Sequence, residues 1–245
     1  MNLLDKINTI QSNPHYRVAD VFYSSGERWQ DSANKVLRLP EFEDTILKKY
    51  LVANKGCREK NYDLLKDIIE QHAIAKSYLL PHKNELVLHV RAGDVVVHEW
   101  FLKKDYISLI SIALDRNPNI TTITIVTCFA YQAFPEKLRW MYSDEKDRLN
   151  RDMLGKLLSD IYDKFRRYEL KIVSNENVDE DLCYMFHANY FIPDGGKGIG
   201  WSGFSHLIEE LRFGGYLEND HPNLLTATPH DGKIWDESSQ QIIDD

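Results

Sequence analysis

A continuous apolar run, then an amphipathic segment, then a β-branched stretch set the tightest limit on how this chain of 245 residues can fold. Glu85 to Val90 reads ELVLHV, with turn-forming Lys83-Asn84 before it and Ala92-Gly93 after it, and Thr121 to Thr127 reads TTITIVT. The first run, short, rich in β-branched and aliphatic residues and bounded by turn formers, has the signature of a buried strand of a parallel sheet, and the second reads as another strand. Between them, Lys104 to Arg116 sets Tyr106, Leu109, Ile110, Ile112 and Ala113 in helical register and closes at Asn117-Pro118. Parallel strands require such a crossover, so the stretch predicts a βαβ unit.

The alternation continues downstream. Asp152 to Tyr168 carries Leu154, Leu157, Leu158, Ile161, Tyr162 and Phe165 at helical spacing, and Leu170 to Val173 reads as a short strand. Asp179 to Ala188 reads as a helix with acids in its first turn, as the macrodipole prefers. Tyr190 to Ile192 is a further strand, followed by the glycine-rich loop Gly195 to Gly200 and a helix from Phe204 to Arg212. The pattern predicts an α/β protein with a Rossmann-like, doubly wound, mostly parallel sheet. Upstream, the spacing predicts a helix over Asn2 to Ile10, a strand over Val18 to Tyr23, and helices over Phe42 to Tyr50 and Tyr62 to Leu80, the last ending before Pro81. Three units are expected: a small α/β half over 1–84, a nucleotide-binding half over 85–225, and a polar tail over 226–245, laid on the surface or partly disordered.

Thirteen Tyr, ten Phe and five Trp supply enough apolar surface to offset the entropy of ordering the chain, so disorder is excluded as its default state. A net charge of −8 argues against a protein that grips nucleic acid, which needs a basic face. An anionic small ligand is still admissible, since it needs only one local cation and a few oriented N–H groups. Cys57, Cys128 and Cys183 show no C-x-x-C spacing, which points away from a disulfide framework or zinc knuckle and toward a reducing compartment. The opening MNLLDKINTIQSNPHYR has no apolar signal core, and no stretch reaches the ~18 apolar residues of a membrane span. A cytoplasmic location without an integral membrane segment is expected.

Three pieces bring chemistry to the carboxyl edge of the predicted sheet, where ligands of such folds bind. The first is His89-Val90-Arg91-Ala92-Gly93-Asp94, in which Arg91 offers a planar fork of donors suited to a diphosphate. Asp181, in the first turns of a helix, is the second. The third is the loop Pro193 to Ser205, PDGGKGIGWSGFS, whose glycines let backbone N–H groups approach a phosphate and whose Ser202 and Ser205 add hydroxyls. Each has a plain structural reading as well: a surface ion pair for Arg91, a helix-start residue for Asp181, a surface loop for the glycines. The loop fits neither G-x-x-x-x-G-K-[ST] nor G-x-G-x-x-G. His82, His89 and His98 are too irregularly spaced to suggest a metal site, and Asp179-Glu180-Asp181 is formally D-x-D but opens a helix. Asp94, His98 and Glu99 follow the strand tip, where a base would meet an acceptor hydroxyl. Trp100, Trp201 and Phe204 are candidate sugar-stacking rings that equally suit a core.

LVLHVRAGDVV resembles the H-x-R-x-x-D strand-end motif of the fucosyltransferase superfamily that includes α1,2-, core α1,6- and protein O-fucosyltransferases. DLCYMFHANYFIPDGGKGIGWSGFS is similar to the second signature of that superfamily: an acid opening a helix, a small residue before a hydrophobic strand, then a loop bearing Ser and Phe. The likeness runs from Glu85 to about Arg212. It implies a GT-B-like enzyme that transfers fucose from GDP-fucose to a glycan or other hydroxyl acceptor, with inversion, without a metal and with no cofactor beyond the donor. By the same resemblance Arg91 binds the β-phosphate and assists departure of GDP, His89 shapes that pocket, and Asp181 reads guanine. Ser202, Gly203, Phe204 and Ser205 hold phosphates. Asp94, the acid that closes the H-x-R-x-x-D motif, stands with Arg91 as a catalytic candidate, although spacing favours none of Asp94, His98 and Glu99 as the base. This chain departs from the pattern in Ala92, where many members carry a second arginine, in a longer phosphate loop, and in a short half before the first motif.

Overall fold

In the computed structural model the described residues are 43–54, 60–92, 105–127, 144–174, 177–194, 203–213, 233–236 and 241–244. They form α1 (Ile46–Ala53), α2 (Tyr62–Lys76), β1 (Glu85–Val90), α3 (Tyr106–Arg116), β2 (Thr122–Thr127), α4 (Asp144–Lys164), β3 (Glu169–Val173), α5 (Val178–Phe186), β4 (Tyr190–Ile192), α6 (Gly203–Phe213), β5 (Lys233–Asp236) and β6 (Gln241–Asp244). The helix and strand expected over Asn2 to Ile10 and Val18 to Tyr23 lie outside the described residues. Among the described residues no helix is long and apolar enough to cross a membrane.

The main sheet has the order β3-β2-β1-β4 with every pairing parallel. From β1 the chain steps outward to β2 and β3, then returns to the other side of β1 as β4. Right-handed crossovers put the helices of the outward steps on one face and the helix of the return step on the other. Side-chain alternation matches. Leu86, Leu88, Ile123, Ile125 and Ile192 pack with α3 and α4, while Val87, Val126 and Phe191 pack with α1, α2, α5 and α6. Each of these fully buried apolar side chains contributes about 1.5–3 kcal/mol relative to exposure. The central places of β1 and β2 leave both buried along their whole length, which the apolar run of β1 and the β-branched residues of β2 suit. Helices α1 and α2, which precede residue 84, share one core with α5 and α6.

The local chemistry of the ends corrects some expected boundaries. Helix α2 stops at Lys76, short of Leu80, because Ser77 takes a left-handed conformation with φ 53°. Its N–H donates to the Ile74 carbonyl and that of Tyr78 to the Ala73 carbonyl, closing the last turn. Helix α4 begins at Asp144, ahead of the expected Asp152, since its first turns are polar and carry no apolar stripe for a periodicity argument to find. Within the expected polar tail, Lys233–Asp236 and Gln241–Asp244 pair antiparallel as a two-stranded ribbon.

At the amino end of β1, Glu85 is buried with 1% exposure. Its carboxylate accepts from the Thr124 and Tyr184 hydroxyls and from the His82 N–H at 3.3 Å, with Lys171 Nζ at 3.7 Å. Burial pushes its pKa up, but these donors outweigh burial and hold it below the ordinary carboxylate value. Cys183 is a core residue whose thiol is pushed up to about 12 by burial and the nearby Asp179 and Glu180 charges.

Candidate functional site

In open parallel sheets, strand order decides where ligands bind. The order of strand addition reverses between β1 and β4, and at such a switch point the connections leave the carboxyl edge in opposite directions and part. His89, next to last in β1, lies on the same face as Val87 and is 8% exposed. Arg91 follows the strand, half-buried. Across the switch, β4 runs out through Pro193 to Asp194, and α6 begins at Gly203.

The structure joins these exits directly. His89 Nδ1 lies 2.6 Å from Ser205 Oγ, and the Asp194 N–H donates to the same oxygen at 2.8 Å. Phe204 packs its ring edge-to-face against the His89 imidazole, with centroids 5.7 Å apart. The H-x-R strand end and the Ser-Phe signature, read separately in the sequence, therefore meet in one place, with His89, Phe204 and Ser205 in mutual contact beside Arg91. Gly203, Phe204 and Ser205 form the first turn of α6, where backbone N–H groups have no partner within the helix and the macrodipole is positive. A guanidinium and a helix start at one strand edge form a chemically suitable setting for an anion.

Asp181 sits in the first turn of α5 and is 4% exposed. Because α5 follows β3 in a parallel sheet, that turn lies on the same carboxyl edge. Its neighbour Asp179 serves the framework: Oδ2 accepts from the Ile46 N–H at 2.9 Å, fixing the start of α1 from 133 residues away, and lies 3.6 Å from His72 Nε2. The first aspartate of the formal D-x-D is thus turned into the α1–α2 layer. His82 lies at the opposite end of β1, with Nε2 3.0 Å from Thr122 Oγ1. Asp94, His98, Glu99, Trp100, Trp201, Ser202 and the Gly195 to Gly200 loop lie outside the described residues.

Two residues at this edge went unmarked in the sequence. Tyr106, the first residue of α3, reads as one more apolar helix position, yet its hydroxyl donates to Asp194 Oδ1. Both are buried, Tyr106 at 2% and Asp194 at 0% exposure. Burial raises the Tyr106 phenol well above its usual value, and the Asp194 carboxylate raises it further. The available signal was Asp194 itself, an acid placed directly after a hydrophobic strand in FIPD. Compared with family models, curated proteins and solved structures, the chain gives no match.

Proposed function

We propose that this chain is a glycosyltransferase that takes fucose from GDP-fucose and passes it to the hydroxyl of a glycan or other acceptor, without a metal and with inversion. The observation that supports this most is the 2.6 Å contact of His89 with Ser205, which unites the two motifs of the fucosyltransferase resemblance at the switch point beside Arg91. In the reaction the acceptor oxygen forms the new bond to the anomeric carbon as the bond from that carbon to the β-phosphate oxygen breaks. The acceptor proton goes to a base, for which Asp94 is the candidate, and GDP leaves. Arg91 stabilises charge growing on the leaving diphosphate, aided by the first-turn N–H groups of α6. Asp181 reads guanine from the same edge. A GT-B-like arrangement with the 1–84 half and a cytoplasmic location belong to this reading.

A second reading draws on Ala92. Many superfamily members carry a cation there, but Ala92 is 7% exposed and packs in the core with Val90 and Tyr106, so an arginine has no room at that position. One fewer cation favours a protein that binds a nucleotide-sugar or carbohydrate without turning it over. Incubation with GDP-fucose separates the two. A transferase releases GDP, with fucose passed to acceptor or slowly to water, whereas a binding protein retains intact donor. Failure to bind GDP or GDP-fucose at all rejects GDP-fucose as donor and leaves the same scaffold with another nucleotide-sugar donor, or a carbohydrate-binding protein.

A further inference from the structure

We propose that Tyr106 and Asp194 are positioning residues that set the orientation and proton arrangement of His89 through Ser205. The route is continuous. The Tyr106 hydroxyl donates to Asp194 Oδ1, the Asp194 N–H donates to Ser205 Oγ at 2.8 Å, and Ser205 Oγ lies 2.6 Å from His89 Nδ1. Four segments that leave the carboxyl edge are held by it: the start of α3, the exit of β4, the start of α6 and the end of β1.

Packing alone does not call for this arrangement. A phenylalanine and an aliphatic residue would fill the same space without burying a carboxylate, whose desolvation is a burden unless donors meet it. What the polar pair adds is direction. With its carboxylate held by Tyr106, Asp194 presents its N–H to Ser205 at a fixed point, so the oxygen facing the imidazole cannot drift with α6. The partner of one ring nitrogen sets the tautomer, and hence what the other nitrogen offers to a ligand. Phe204 closes the remaining freedom by packing on the ring.

The test reads His89 itself, in protein labelled with nitrogen-15 at histidine and without ligand, the His89 ring signals being assigned by their loss in His89→Gln. Tyr106→Phe and Asp194→Ala are expected to displace the His89 ring-nitrogen signals. Asp194→Asn, which keeps an oxygen to accept from Tyr106 and the same backbone N–H, is expected to leave them near the wild-type positions. A calorimetric arm with inorganic pyrophosphate rests on the phosphate-site reading above. There Tyr106→Phe and Asp194→Ala should weaken binding about tenfold, the low end of what outer partners contribute where a histidine binds a metal, and Asp194→Asn should stay close to wild type. Signals that move as described support the positioning even if wild-type protein binds no pyrophosphate, a result that would count against the phosphate site alone. Unmoved His89 signals in folded Tyr106→Phe overturn the proposal whatever pyrophosphate does. If Asp194→Ala fails to fold, Tyr106→Phe and Asp194→Asn decide.

Discussion

His89 Nδ1 and Ser205 Oγ stand 2.6 Å apart although 116 residues of chain separate them. A contact of that span exists only because β1 and β4 are neighbours in the sheet and α6 turns back over their carboxyl ends. It brings the first turn of α6 to the edge from which Arg91 emerges.

Arg91 is expected to matter for rate far more than for folding. Arg91→Lys keeps the charge but loses the two-pronged contact with a diphosphate. The cost in transition-state stabilisation should be on the order of 3 kcal/mol, about a hundredfold in turnover. Initial rates with GDP-fucose, with far-ultraviolet circular dichroism as the check on folding, measure it. Wild-type turnover by folded Arg91→Lys would remove Arg91 from the reaction.

The elements were legible where burial imposes one pattern over several residues. ELVLHV has to be buried on both faces, and β1 occupies that run from Glu85 to Val90. Polar ends were less legible. The first turns of α4 show no stripe, and Ser77 ends α2 through a backbone conformation that serine rarely signals. At the candidate site, His89 and Ser205 could be named because each sits in a motif. Tyr106 and Asp194 could not be paired, because their relation depends on where α3 starts relative to β4, a distance fixed by the sheet. Asp179 is a similar case: its partner Ile46 is an apolar residue contributing only a backbone N–H, to which side-chain type gives no clue.

The buried pair of His72 and Asp179 should shape stability in acid. Burial and then Lys49, whose Nζ lies 2.8 Å from Nδ1, lower the His72 pKa from 6.5 to about 4, while burial raises that of Asp179 from 3.8 to about 6. For His72 the unfolded chain binds the extra proton between about 4 and 6.5, so stability is lost as pH falls through that window. For Asp179 the folded chain binds it between 3.8 and about 6, so stability is gained as pH falls. The two trends oppose and flatten the wild-type profile. Asp179→Asn, which can still accept from Ile46, removes the second trend. From near neutrality to mild acid it should lose on the order of 3 kcal/mol more stability than wild type. Urea denaturation across that range gives the slopes, and parallel slopes would refute the coupling.

Glu85 makes a separate prediction. Tyr184→Phe removes one donor from a buried carboxylate and should destabilise by about 1–3 kcal/mol near neutral pH. Because the pKa of Glu85 is depressed in the folded state, its contribution is present above the unfolded value and lost as pH falls through the folded one. The gap between Tyr184→Phe and wild type should therefore narrow in acid. A pH-independent gap would mean that the hydroxyl acts only through packing.

With Asp179 committed to Ile46 and the His72 side, and with Arg91 and the α6 turn at the edge proposed to bind phosphate, initial rates of transfer should be unchanged by EDTA. Activity abolished by chelator and restored by Mn²⁺ would return Asp179 and Asp181 to a metal-binding role.

Recognition of guanine tests the central claim most directly. The Asp181 carboxylate is expected to accept from N1–H and the exocyclic amine of guanine, a donor pair that adenine and uracil lack. Asp181→Asn turns one acceptor into a donor at constant size and should weaken GDP by roughly 2 kcal/mol while barely changing UDP or ADP. Calorimetric titration of wild type and Asp181→Asn with the three nucleotides should show GDP bound tightest by wild type, and only GDP weakened in the variant. Tighter wild-type binding of UDP, or an equal loss for all three nucleotides, would contradict a GDP-sugar site at this edge of the sheet.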